Sequence, residues 1–362
     1  MSFEPLWALG LMSGTSLDGV DAALVRTDGE TVHETGPALT VGYDEGLRGR
    51  LREVLGTEEP QSAIAELARE ITLIHAESIK CLLEDNNITH CNISVIGFHG
   101  HTILHRPDEG RTRQIGDGGL LAELSGIDVV DDFRSADVAA GGEGAPLAAL
   151  YHAALSRGLE RPLAVLNIGG VANVTWIGAG DDLLAFDTGP GNALLNDWTL
   201  EHTGRPYDRD GELARRGRVD DRILAELLAH PFFAREPPKS LDRNAFDASL
   251  LSGTSPADGA ATLTAFTAHA VGRAAARFPA PARRWLVAGG GRRNLALMAL
   301  LKRVLGFSVE PVEAAGWDGD ALEAQAFGFL AVRALRGLPL SLPETTGAGR
   351  PVSGGTLHRR PG

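Results

Sequence analysis

The chain has 362 residues, enough for about two domains of ordinary size. Hydrophobic residues at 43% and charged residues at 22% are the proportions of a globular protein. A formal net charge of −13 argues against nucleic acid or an anionic membrane as partner, so an anionic ligand must be held by local groups.

Cys81 and Cys91 have no metal or redox spacing. With no secretory signal and no apolar run of about 18 residues, the reading is a soluble, cytoplasmic, thiol-reduced protein. None of the lysines, Lys80, Lys239 and Lys302, follows a Gly-x-x-x-x-Gly pattern, which removes a Walker-type phosphate loop.

The first predicted element is a β-hairpin. Apolar runs Leu6–Met12 and Val20–Val25 bracket a polar turn with Gly14 and Gly19. Those glycines allow φ > 0, so that successive N–H groups can face one concavity and hold an anion. Ser13, Thr15 and Ser16 add hydroxyl donors, and Asp18 and Asp21 can hold a hydrated Mg²⁺. An ordinary hairpin with a Gly-Ser turn fits the same letters.

Helical periodicity then runs from Gln61 to Leu83. A short buried strand, Ile93–Phe98, ends in His99-Gly100-His101, followed by His105. His99 and His101 on one strand face would suit two zinc ligands, but no third ligand follows at helical spacing; cleft-lining residues are the alternative. A short helix from Gly116 to Gly126 and a strand Ile127–Val130 lead to Asp131-Asp132-Phe133-Arg134. Arg134 is suited to pair with a carboxylate, whether a ligand's or that of Asp131 or Asp137. The cluster Gly141-Gly142-Glu143-Gly144 is read as a domain boundary, and fits either a hinge or a long loop.

The second half opens as the first did: strand Leu163–Leu166, a turn with Gly169 and Gly170, strand Val174–Ile177. Two such hairpins at the head of each half point to a duplicated domain. Asp187 ends an apolar strand, meets Thr188-Gly189-Pro190-Gly191-Asn192 and precedes a helix over Ala193–Leu200, a preferred place for a catalytic carboxylate in α/β proteins. Helices follow at Glu212–Leu228 and Ala257–Phe278, the latter started by Ser255-Pro256. Strand Trp285–Ala288 runs into Gly289-Gly290-Gly291, which suits either the close approach of a flat group to the backbone or tight strand-to-helix packing, and Asn294 opens helix Leu295–Leu305. Helix Ala321–Leu335 carries Glu323 in its first turn, and a Pro/Gly-rich tail follows.

This order of motifs resembles the actin/Hsp70/sugar-kinase superfamily, and more closely the anhydro-N-acetylmuramic acid kinases. The match runs from Met12-Ser-Gly-Thr-Ser-Leu-Asp-Gly-Val-Asp21 through His99-Gly100, Gln114-Ile-Gly-Asp117, Asp132-Phe-Arg134 and Gly144-Ala-Pro146. It continues through Leu166-Asn-Ile-Gly-Gly170, Phe186-Asp-Thr-Gly-Pro-Gly-Asn192, Pro237-Pro-Lys-Ser240, Gly289-Gly-Gly-x-x-Asn294 and Glu323-Ala-x-Ala-Phe327. It departs at His101 and Glu143, where the family has Gln, and at Leu241-Asp242-Arg243-Asn244, where it has Thr-Gly-Arg-Glu.

The resemblance implies an α/β protein of two duplicated ribonuclease-H-like domains around an ATP and substrate cleft. Domain I is expected over 1–138, completed by a helix at about 321–337; domain II over 139–320; and a C-terminal tail over 338–362. ATP would contact Gly14, Thr15, Ser16, Leu17, Asp18, Gly19, Val20, Asp21, Gly169, Gly170, Gly289, Gly290, Gly291 and Asn294, with Mg²⁺ held through water by Asp18 and Asp21. His99, Asp117 and Arg134 would bind the sugar, Arg134 at its lactyl carboxylate.

The implied reaction takes 1,6-anhydro-N-acetylmuramic acid, ATP and water to N-acetylmuramic acid 6-phosphate and ADP, a step of cell-wall recycling. Asp187 would be the base for the water. Glu323 would orient that water and, as a like charge, lift Asp187 from its ordinary pKa of about 3.9. A homodimer is compatible with this reading. Its rivals are another sugar kinase of the superfamily and an Hsp70-like chaperone; the second needs a peptide-binding domain for which the roughly 25 residues after the last helix are too few.

Overall fold

The computed structural model describes residues 3–14, 17, 19–58, 61–180, 182–243 and 245–362. The chain separates into two units, Met1–Arg157 with Ala321–Gly362, and Gly158–Asp320.

In the first unit, β1 (Leu6–Ser13), β2 (Gly19–Thr27) and β3 (Val32–Gly42) form an antiparallel meander. β4 (Val95–Arg106) lies parallel to β1, β5 (Arg111–Ile115) folds back on β4, and β6 (Val129–Asp131) runs parallel to β4. The order is β3-β2-β1-β4-β6. One face is covered by helix Gln61–Asp85, whose Ile71, Ile79 and Leu82 meet Leu11, Leu24, Ile96 and Phe98 in a common core.

In the second unit, β7 (Leu163–Ile168), β8 (Val171–Ile177) and β9 (Leu183–Pro190) repeat the meander, with β10 (Arg284–Ala288) and β11 (Ser308–Pro311) parallel to β7. The order, β9-β8-β7-β10-β11, is that of the first unit. Three antiparallel strands extended by two parallel ones, twice in one chain, is the duplicated ribonuclease-H-like architecture expected. Trp176, Phe186, Trp285 and Leu301 fill one core of this unit, and Trp198, Leu224, Phe232, Phe246 and Phe266 a second one.

The chain then returns to the first unit. Helix Leu322–Leu335 packs on β1 and β4 at backbone distance: a Cβ on Gly10 would overlap the Ala324 carbonyl, and one on Gly97 that of Phe327. The segment read as a tail is not loose. Leu340, Thr345, Thr346 and Ala348 are buried, and β12 (Thr356–His358) adds antiparallel to β6. Buried Asp137 accounts for this anchoring, accepting from Ser341, from Thr346 Oγ1 (2.7 Å) and from the Gly144 N–H (2.7 Å).

Other boundaries also differ. The expected helix Glu212–Leu228 is two, Glu212–Arg216 and Asp221–Leu228, because Gly217 leaves helical geometry and passes too close to Ala257 for a side chain. The strand expected to stop at Phe98 continues to Arg106, since β5 pairs with its far half.

Four buried histidines of the first unit make a pH prediction. Burial lowers His75 and His101 from 6.5 to about 4, His152 to about 3, and His99 well below its usual value. The unfolded chain therefore takes up protons that the folded one refuses. The associated stability is complete above about pH 6.5 and is lost as pH falls toward about 4. Urea titrations followed by circular dichroism should show a lower midpoint at pH 5 than at pH 7.5; equal midpoints would contradict the assignment.

Candidate active site

Asp187, the expected base, is held by its strand and by a neighbouring loop. β8 and β9 pair Ala172 with Gly189 but Asn173 with Asp187, so Thr188 is an extra residue, a β-bulge. A bulge bends a strand locally and re-aims the side chains beside it. The Thr188 hydroxyl donates back to the Ala172 carbonyl (3.1 Å), fixing the bulge. The loop after Pro238 then holds Asp187 from two sides. The Asp187 N–H donates to the Lys239 carbonyl (2.9 Å), and the Leu241 N–H donates to Asp187 Oδ2 (2.8 Å). Asp187 is only 6% exposed, so the carboxylate has a set direction.

The glycine turns of this unit interlock. The carbonyls of Gly169 and Gly170 accept from the N–H groups of Asn192 (2.7 Å) and Gly191 (3.0 Å), tying the β7–β8 turn to the turn after Asp187. Of the three consecutive glycines, Gly289 has φ +71° and its Cβ would overlap Asn167 Oδ1, while a Cβ on Gly291 would overlap the Ile168 side chain. Gly290 differs. It is exposed, and a Cβ there would meet nothing nearer than Asn192 Nδ2 at 3.7 Å. Asn294 caps helix Leu295–Leu305, accepting from the Leu297 N–H (3.0 Å). Asn167 Oδ1 is buried beside this loop with no hydrogen-bond partner, an acceptor that a ligand donor or water can satisfy.

In the first unit, Thr15, Ser16 and Asp18 lie outside the described residues. Leu17 has φ +60° and its N–H donates to the Gly14 carbonyl (3.1 Å). Gly19, expected to supply a positive φ, does not have one; it is needed because a Cβ would overlap the Val41 carbonyl of β3. Val20 is buried in the core. Asp21 Oδ1 accepts from the Thr40 hydroxyl (2.6 Å), which orients the carboxylate.

His99 lines a cleft of about 240 Å³ with Arg113, Gln114, Asp131, Asp132 and Ser135. Its Nδ1 donates to the Gly100 carbonyl (2.9 Å) and its Nε2 accepts from Arg134 Nε (3.0 Å), so the ring is neutral. The zinc reading fails here. Gly100 (φ +69°) sits where the β1–β4 register shifts, and the simple alternation of faces is lost. His99 lies against the Phe327 ring (4.5 Å), whereas His101 Nδ1 is bonded to Ser13 Oγ (2.8 Å). Among the described residues no cluster of three or more His, Cys, Asp or Glu is arranged to hold a metal ion.

Arg134 also donates to the Gly144 carbonyl (2.6 Å). Asp117 caps helix Gly118–Ser125 through the Leu120 N–H (2.9 Å). Glu323 is half-buried in the first turn of helix Leu322–Leu335, where the helix dipole favours a carboxylate.

Residues 6–360 match the family model described as anhydro-N-acetylmuramic acid kinase. The chain belongs to the anhydro-N-acetylmuramic acid kinase family. The protein of that name from Rhodospirillum rubrum is 59% identical over 354 residues, covering 97% of this chain and 94% of its own. That from Paramagnetospirillum magneticum is 60% identical, covering 97% and 99%. A solved structure, the activator of the 2-hydroxyisocaproyl-CoA dehydratase from Clostridium difficile with bound ADPNP, is 12% identical with a TM-score of 0.46, covering 91% of this chain and 96% of its own. No described helix is long and apolar enough to cross a membrane.

For this anhydro-N-acetylmuramic acid kinase family member, the structure adds residues that sequence reasoning missed. Arg292 is buried behind the glycine loop, donating to the Gly289 carbonyl (3.0 Å) and pairing with Glu313 (2.8 Å) and Asp320 (3.0 Å). Buried Asp208 accepts from the N–H groups of Leu213 (2.8 Å) and Ala214 (3.0 Å), which places Gly211 against Asn294. Lys239, given no role from the sequence, carries the loop that holds Asp187. Its presence in a Pro-Pro-Lys-Ser string was the available signal.

Proposed function

We propose that the chain uses ATP and water to convert 1,6-anhydro-N-acetylmuramic acid to N-acetylmuramic acid 6-phosphate, with Asp187 as general base. Kinase activity on this sugar follows from the family; the roles below are our reading. O6 of the anhydro sugar is tied to C1 and carries no proton, so a base at the phosphoryl acceptor has nothing to remove. The group that needs a base is water. It attacks C1, the C1–O6 bond breaks, O6 takes the γ-phosphoryl, ADP leaves, and the water proton passes to Asp187.

The observation that carries this reading is the clamped carboxylate beside the Thr188 bulge. Its backbone restraints hold one oxygen as an acceptor for Leu241, which favours a fixed orientation toward a water. Glu323 is proposed to orient the same water, and Arg134 and His99 to meet the sugar. The bond from Arg134 to the Gly144 carbonyl supports a fixed Arg134. Phosphate oxygens are assigned to the turns at Gly14–Asp21 and Gly169–Gly170, and adenosine to Gly290.

A bound Mg²⁺ supplies neutralisation of charge developing on the transferred phosphoryl group. Asp21, whose carboxylate is oriented by the Thr40 hydroxyl, would hold its water shell.

The test is a coupled assay with purified protein, MgATP and either the anhydro sugar or plain N-acetylmuramic acid. ADP release and a sugar 6-phosphate are expected with the anhydro sugar. Equal or faster turnover of the free sugar would replace this reading with that of an ordinary sugar kinase.

A further inference from the structure

Lys239 is buried to 4% exposure on a loop that sequence alone would leave polar and solvated. Its Nζ donates to the carbonyls of Phe232 (3.0 Å) and Arg235 (3.0 Å) and stands 4.3 Å from the centre of the Phe232 ring. Phe232 belongs to the aromatic core with Phe233, Phe246 and Phe266, so the ammonium is pinned to a rigid wall. The same residue's carbonyl accepts from the Asp187 N–H, and two residues on, the Leu241 N–H donates to the Asp187 carboxylate. One side chain thus anchors both restraints on Asp187.

A neutral side chain of similar length would fill this space without the hydrogen bonds. A buried ammonium costs desolvation unless its donors are used, and two carbonyls and a ring face use them here. We infer that Lys239 is a positioning residue for catalysis: its ammonium fastens the 237–241 loop so that the Asp187 carboxylate faces the reacting water. This rests on the reading of Asp187 as the base.

The groups electrostatically facing Lys239 are Arg277, Arg235, Glu236 and Asp187, with Arg277 and Glu236 paired to each other. Burial, followed by the two arginines, lowers the ammonium from 10.5 to about 8, against the pull of Glu236 and Asp187. Loss of that proton removes the charge assistance from both carbonyl bonds and loosens the loop.

The experiment measures kcat and KM for ATP between pH 6.5 and 9.5 in the wild type, Lys239→Met and Lys239→Arg, with saturating anhydro sugar. In the wild type, kcat should fall above about pH 8. Lys239→Met should lower kcat at pH 7 by about 10–100-fold, leave KM for ATP within about twofold and lack the alkaline limb. Lys239→Arg should restore most of kcat and move the limb up by more than one pH unit. Wild-type kcat in Lys239→Met, or the unchanged limb in either variant, would overturn the inference.

If Lys239→Met does not fold, the wild type and Lys239→Arg decide the matter by the same limb. Amide exchange at Leu241 separates this inference from the reading of Asp187. Faster exchange in Lys239→Met together with an active Asp187→Asn would keep the anchor and remove the base, which overturns the catalytic role. An inactive Asp187→Asn beside a fully active Lys239→Met would remove the anchor alone.

Discussion

Asp187→Asn is expected to lower kcat by about 10²–10⁴, the usual share of general-base catalysis, with ATP affinity within about twofold of wild type. Asparagine keeps the shape and one acceptor oxygen, so the Leu241 N–H retains its partner and the main-chain bond to Lys239 is untouched. What changes is the ability to take a proton. The folded state should therefore melt close to wild type, and calorimetry with a non-hydrolysable ATP analogue should give a near-normal Kd. A drop in kcat of less than about fivefold would mean that the water is activated elsewhere. A large loss of nucleotide affinity would mean that Asp187 serves the phosphates.

Gly290→Val is expected to have the second-largest effect, and on a different quantity. Gly289 and Gly291 are explained by the protein's own packing, since side chains there would strike Asn167 and Ile168. Gly290 is not explained that way, because the space above it is open. If a nucleoside fills that space, an added isopropyl group costs about 1–3 kcal/mol of overpacking, roughly a fivefold to 150-fold loss of ATP affinity. Stability should hold, because nothing lies within 3.7 Å of the new Cβ. Isothermal calorimetry and a thermal melt on the same preparation check both halves. Unchanged ATP affinity in the folded variant would remove Gly290 from the nucleotide site.

Much of this was legible in the chain. Two hairpins with glycine turns, each at the head of a half, were visible because apolar runs interrupted by Gly-Gly or Gly-Thr-Ser have few other readings. Asp187 stood out because its strand is apolar up to the carboxylate and then meets Gly and Pro. What escaped is what depends on residues far apart in sequence. The Thr188 bulge exists only in the pairing of β8 with β9, and the Lys239 anchor joins residues some fifty positions from Asp187.

The edge strand β3 escaped for another reason. Its outward positions are exposed and it contains Gly36 and Pro37, so the alternation that marks a half-buried strand is weak. The part of the His99–His101 reading that fails is the shared face, because a strand was taken to alternate without interruption, whereas Gly100 breaks the register. The C-terminal residues read as a tail because glycine and proline are frequent there. Their attachment comes from Asp137, more than two hundred positions earlier, through Ser341 and Thr346.

The central claim is that water attacks C1 while O6 receives the phosphoryl group. It is tested by running the reaction in ¹⁸O-labelled water, quenching at once to limit anomeric exchange, and locating the label by mass spectrometry. The account predicts one ¹⁸O in the anomeric hydroxyl of the sugar 6-phosphate and none in its phosphate, because O6 comes from the bridge and the other phosphate oxygens come from ATP. Label in the phosphate, or none at C1 after an immediate quench, would contradict it.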